Sequence, residues 1–286
     1  MPKFETPQPI AVTVDVFVGN VEIIASDRAD AVVEVRPSDP DKKADVRGAQ
    51  ETEVDFAAGN LTVKGPGGWK MYTTMRALNT PSIDVTIEVP TGSRLHGTGS
   101  VCRFLVTGEL GQCELKTSVG DLQLEKAGPL QLQTAGNITV DQVVSRANIT
   151  TSTGIVRIGE IDGSAVVKNS NGDSTIREVA GDLRVNAANG NITVERPRGS
   201  VTAKTANGNI RVADASRGTL RLETSIGELE VGIHPGSAAY LDVNTKAGTL
   251  QNLMEPADQP AQSEETVHVY ARSSFGNIII RHATAG

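Results

Sequence analysis

The sequence predicts an all-β fold, a parallel β-solenoid with coils of about 18 residues and two short strands per coil, and three features carry that expectation. A glycine recurs at Gly120, Gly136, Gly154, Gly172, Gly190, Gly208, Gly227 and Gly248, mostly followed by Asn, Asp or Glu and then by an apolar-x-apolar triplet. Between these glycines apolar and polar residues alternate with a period of two, the signature of strands with one buried face. Aromatic residues make up only 3% of the chain and apolar residues 38%, which suits a thin column of Leu, Ile, Val and Ala better than a broad globular core. A single such coil is too small to bury its own apolar side chains, so the coils must stack into a shared core.

Each coil begins near a second glycine or its substitute, at Gly111, Gly128, Ser145, Gly163, Gly181, Gly199, Gly218 and Ala239. The first strand supplies two inward residues, as in Cys113 and Leu115, Leu183 and Val185, or Val201 and Ala203. The second strand supplies two more, as in Val156 and Ile158 or Ile192 and Val194. Four inward residues per coil are therefore expected. The even spacing rules out hairpins and predicts strand stacked parallel on strand, about 4.8 Å per coil. Thr117, Thr151, Asn169, Thr205, Thr224 and Thr245 stand three residues before their glycines, where they form a polar column able to satisfy turn backbone groups. Asn171, Asn189 and Asn207, at intervals of 18, predict a hydrogen-bonded Asn ladder.

The ends are less regular. Residues 1–95 are expected as irregular β coils and an N-terminal cap, with strand-like stretches at Val12–Val18, Val21–Ile24, Ala31–Val35, Asn60–Val63 and Ser82–Val89 and Gly-Asn turns at Gly19 and Gly59. Pro37 to Asp55 reads as a charged, solvated excursion. Trp69, Tyr72 and Met75 form a cluster that either covers the open core end or offers a partner patch. Residues 96–253 carry the regular repeats, 254–266 read as a mobile acidic loop, and 267–286 as a closing coil that caps the C-terminal end of one continuous elongated domain.

The net charge of −7 argues against a broad surface for phosphate backbones, so nucleic acid is not the expected partner. No apolar run reaches the ~18 residues of a membrane span. MPKFETPQPI carries no signal region, and if that start is native the expected location is the cytoplasm. Cys102 and Cys113 are expected as buried small residues without a disulfide.

The succession of Gly-Asn/Asp-apolar-x-apolar turns, entered through Val85-Thr86-Ile87-Glu88-Val89-Pro90-Thr91-Gly92 and running to Gly276-Asn277-Ile278-Ile279-Ile280, resembles a bacterial domain-of-unknown-function family of β-strand-repeat proteins named as candidate adhesins. The resemblance covers most of the chain. It implies a right-handed β-helix and supplies no catalytic residues.

Chemistry is sparse. The candidate acids Asp121, Asp141, Asp162, Asp173 and Asp182 sit mostly beside turn glycines and lack the asymmetric pairing that carboxylate catalysis requires. His96, His234, His268 and His282 show no ligand spacing, so neither a metal nor a cofactor is expected. The outward columns, which include Lys168, Asn186, Lys204, Glu223 and Asn244 on one strand and Thr193, Arg211 and Glu230 on the other, are mixed in charge. The expected function is a non-enzymatic binding or scaffold protein presenting a rigid solenoid surface to another protein or a polymer, with self-association open. The alternatives are a β-helix carbohydrate lyase or hydrolase, and a bactofilin-like filament former.

Overall fold

The structure, a computed structural model, describes residues 2–66, 80–254 and 265–283. Among them are 25 strands, nearly all in parallel pairs, and one short helix, a β-solenoid. The chain divides into two compact units, Met1–Gln142 and Val143–Gly286.

The second unit shows the repeat most plainly. First-column strands Ala147–Thr153, Ala165–Asn171, Leu183–Asn189 and Val201–Asn207 stack in parallel at a register of 18 residues, so that Ala147 pairs with Ala165, Ala165 with Leu183 and Leu183 with Val201. Second-column strands Val156–Ile161, Ser174–Val179, Ile192–Pro197 and Ile210–Ala215 stack likewise. Each coil turns six residues inward rather than four. In the coil from Ala165 they are Ala165, Val167, Asn169, Ser174, Ile176 and Val179, all buried. The fifth continues the alternation of the first strand but is polar, and the sixth breaks the period of two by following two half-exposed or exposed residues.

At the corner between the columns the glycines stack on one another. Gly120, Gly154, Gly172, Gly190, Gly208 and Gly227 have φ between +133° and +151°, which side-chain-bearing residues rarely adopt. A Cβ on Gly190 would lie 2.1 Å from the carbonyl oxygen of Gly172, and one on Gly172 would lie 2.0 Å from that of Gly154. Gly136 and Gly248 lack the positive φ but face the same obstruction, with a Cβ at 2.4 Å and 2.1 Å from the carbonyls of Gly120 and Gly276.

Just inside this corner runs the buried polar column. Thr205 Oγ1 donates to the Gly190 carbonyl at 3.3 Å, Thr224 to that of Gly208 at 3.0 Å, and Ser273 to that of Gly227 at 3.1 Å. The hydroxyl of one coil thus satisfies the turn carbonyl of the coil before it. Asn169 departs from this pattern. Its Nδ2 reaches the carbonyls of Gly154 and Gly172 at 3.0 and 2.9 Å, but its buried Oδ1 has no hydrogen-bond partner. Asn169 is the larger neighbour of Ser174, which stands where adjacent coils carry Val156 and Ile192.

The C-terminal end reverses the expected coil order. Thr266–Phe275 pairs on one side with Gly218–Ile226 and on the other with Ala238–Ala247, while Ile278–His282 lies between Leu229–Ile233 and Leu250–Asn252. The last coil in sequence is therefore threaded inside, and the outer position belongs to the coil 238–252. This order has a visible origin: Ile278-Ile279-Ile280 is apolar enough for an interior coil, whereas Leu250-Gln251-Asn252 offers a single apolar residue.

The first unit uses the same device. Ala11–Ser26, read in the sequence as two strands, is one strand bending at Gly19, where φ is +146°. It pairs with Arg94–Leu110 on one side and with Asn60–Lys64 and Ile83–Pro90 on the other, so an early segment occupies an interior level. Outside it the chain switches to antiparallel pairing: Asp30–Pro37 covers Ile83–Pro90, Glu53–Ala57 covers Asn60–Lys64, and Lys3–Glu5 covers Asp30–Pro37. The stretch 37–55 is not merely a solvated excursion. It contains the helix Lys43–Gln50, anchored by buried Asp45, whose Oδ1 accepts the Ser82 N–H at 3.0 Å and meets Lys42 Nζ at 2.9 Å. Cys102 takes the corner position that glycine holds in most coils, as Ile83 does on the other side of Gly19, and both Cys102 and Cys113 are buried free thiols. Burial pushes the Cys102 thiol up to about 12 and raises Cys113 as well.

Three measurements follow from this packing. Gly190→Ala is expected to cost at least about 2 kcal/mol in denaturant unfolding, because strain and backbone overlap combine there; Gly59→Ala, with positive φ but no atom within 4 Å of its Cβ, should cost only the conformational ~1 kcal/mol. The double variant Asn169→Thr/Ser174→Val should stabilise by roughly 1 kcal/mol, since it removes the orphaned oxygen and restores the neighbouring coils' pattern. A thiol reagent at mildly alkaline pH should label neither cysteine in the native protein and both after unfolding.

Candidate functional site

The polar side chains that the repeat places at its turns are spent on the fold. Asn207 Nδ2 donates to Asn189 Oδ1 at 2.9 Å and Asn189 Nδ2 to Asn171 Oδ1 at 2.8 Å, so these three exposed residues hydrogen-bond in series up the corner. A second ladder lies just past the glycines. Asp121 accepts the Asn137 N–H, Asp173 that of Asn191, Asn191 that of Asn209 and Asn209 that of Glu228, all at 2.8–2.9 Å. Asp182, at the other turn, accepts the Ser200 N–H at 3.1 Å. Three of the five candidate acids thus hold a backbone N–H of the following coil. Asp141 and Asp162 are exposed at separate positions.

The histidines are scattered too. His96 faces Glu114 at 3.5 Å, His234 Nδ1 meets Asp214 at 2.9 Å, and His268 stacks on Tyr240 with ring centroids 5.5 Å apart. Among the described residues no group of three His, Cys, Asp or Glu side chains could hold a metal ion. Trp69, Tyr72 and Met75 lie outside the described residues.

What the second unit does gather is an outward face on its first column. Threading the last coil inward gives the ladder Asn186, Lys204, Glu223, Arg272, Asn244. Lys204 Nζ pairs with Glu223 at 2.7 Å, and Arg272 holds both oxygens of Asp242 at 2.8 Å. Two residues further along each strand, Ala206, Ser225 and Ser274 are small and floor a groove of about 700 Å³ that Lys246 and Arg272 also line. Beyond that floor the corner ladder changes from Asn189 and Asn207 to Ile226 and Phe275, which are 56% and 62% exposed. On the near side the same face carries aromatic rings: Tyr240, 71% exposed on His268, and Tyr270 with the Arg221 guanidinium 4.7 Å from its centroid.

Lys204, Glu223 and Asn244 were legible as outward positions from the repeat. Arg272, Tyr270 and His268 were not, because on one side they pair with Gly218–Ile226, a coil not adjacent in sequence, and neither lateral partner is 18 residues away. The apolar triplet at Ile278 is the signal that could have moved their coil inward.

Solved structures with a similar trace come from several bacteria. A candidate adhesin from Parabacteroides merdae is 15% identical, with a TM-score of 0.47 over 81% of this chain and 94% of its own. A candidate adhesin from Bacteroides fragilis, also 15% identical, has a TM-score of 0.35 over 98% of this chain and 95% of its own. The sequence matches no curated relative. The sequence profile of the Toastrack DUF4097 family, by contrast, matches residues 10–248, and the chain belongs to that family.

Proposed function

We propose that this protein is a non-enzymatic binding or scaffold protein whose solenoid presents the outward first-column face around Tyr240, Tyr270 and Arg272 to an extended protein or polymer. The observation that carries this reading is the company of side chains there. An exposed tyrosine ring and a half-buried one, the Arg272–Asp242 ion pair, a groove floored by Ala and Ser, and two exposed apolar residues lie on backbone held by stacked parallel strands. Aromatic and Arg side chains supply most of the energy in recognition surfaces, and a preformed sheet loses little entropy on binding. The rival carbohydrate lyase or hydrolase needs free carboxylates in unlike environments, whereas Asp121, Asp173 and Asp182 accept backbone N–H groups.

The double variant Tyr240→Ala/Arg272→Gln, shown to be folded by its circular dichroism, should lose the partners that the wild-type chain retains, either from a proteome or from an array of polysaccharides. Identical retention by both proteins, or depolymerisation of a polysaccharide by the wild type, would contradict the proposal.

A further inference from the structure

The two units treat their outer edges differently. The first closes its edge with antiparallel strands and a helix. The second presents Ala238–Ala247, paired on one side only among the described residues. Residues that are buried in every other coil are uncovered here. Leu250, whose equivalents Leu229 and Ile278 are fully buried, is 51% exposed, and Leu241 and Val243 are half-buried where Leu220, Leu222, Val269 and Ala271 are fully buried.

This edge, unpaired on its outer side among the described residues, can accept another strand. The Ala238 N–H donates to the Glu265 carbonyl at 2.9 Å, so even-numbered residues at this end direct their backbone groups toward the inner coil. By alternation, Ala239, Leu241, Val243 and Thr245 direct theirs away from it, while their side chains point inward. The strand contains no proline and no inward charge, two of the devices that discourage edge pairing, and its only charges, Asp242 and Lys246, are opposite in sign.

We infer that this edge is a homodimer interface, occupied by Ala238–Ala247 of a second copy of the chain in antiparallel register about a two-fold axis through Asn244. That axis, normal to the sheet, leaves inward side chains inward, so Leu241 and Val243 of each copy face Ala247 and Thr245 of the other and are covered by its strand. Charge selects this register. It sets Asp242 opposite Lys246 of the second copy and Lys246 opposite its Asp242, two ion pairs from one strand sequence, with each Asp242 also held by its own Arg272. Centring the axis on Asp242 instead would oppose two carboxylates directly. A partner strand of unrelated sequence would not meet this self-complementarity, which is the mark of an isologous contact.

Light scattering on the full chain from sub-micromolar to high-micromolar concentration should show a mass rising from 30.0 kDa toward twice that value. Lys246→Asp, an exposed substitution, should weaken the dimer roughly tenfold by turning both ion pairs into repulsions. Asn244→Cys should form a disulfide-linked dimer on mild oxidation, because opposed residues of a non-hydrogen-bonded antiparallel pair bring their side chains close. Lys168→Cys, exposed on an interior coil, should not. A chain monomeric at every concentration would overturn the inference, as it would if the edge is covered by the chain's own residues. So would a dimer indifferent to Lys246→Asp, or crosslinking of the Lys168→Cys variant without crosslinking of Asn244→Cys.

Discussion

The fold depends on the contact between one coil's corner glycine and the carbonyl of the glycine before it. At 2.0–2.4 Å from that oxygen there is room for a hydrogen and for nothing larger. Parallel hydrogen bonding fixes the spacing of successive coils at about 4.8 Å, and the corner must turn the chain within that spacing without projecting into the neighbouring level. Backbone at φ of +133° to +151° does this, and only glycine occupies it freely. The other ladders are aligned by this column. Inside it, Thr hydroxyls reach the glycine carbonyls; outside it, Asn and Asp side chains reach the N–H groups of the next coil.

The same column records the spatial order of the coils. A Cβ on Gly276 would strike the carbonyl of Gly227, and one on Gly248 would strike that of Gly276, so the series runs 208, 227, 276, 248. The chain skips one level after Ile233, builds the outermost coil, and returns to fill the gap. In the first unit Ala11–Ser26 likewise lies inside segments that come later in sequence. A strand held on both sides loses its backbone groups to solvent only when two ladders open, so terminal segments placed this way resist the fraying usual at chain ends.

This geometry explains what the sequence made legible. Between Gly154 and Gly208, residues 18 apart are neighbours, and glycine spacing, inward alternation and the Asn series could all be read directly. The sixth inward residue could not, since Ile161, Val179 and Ala215 come three residues after the previous inward one rather than two. Pairing at the ends was also hidden, because contacts such as Arg281 to Glu230 join residues 51 apart, and no local period encodes them. The proposed recognition face was hidden for the same reason: its aromatic and guanidinium groups come together only with the last coil threaded inward. In the first unit, antiparallel strands and a helix anchored by one buried carboxylate leave little periodic trace.

Disulfide trapping in the otherwise unaltered chain tests the threading most directly, since outward positions on adjacent coils are separated by one strand spacing and those two coils apart by two. Threading predicts that Glu223→Cys with Arg272→Cys forms an intramolecular disulfide on mild oxidation, and that Glu223→Cys with Asn244→Cys does not. The opposite result, ready closure between positions 223 and 244 with none between 223 and 272, would contradict it and return the last coil to the outer end.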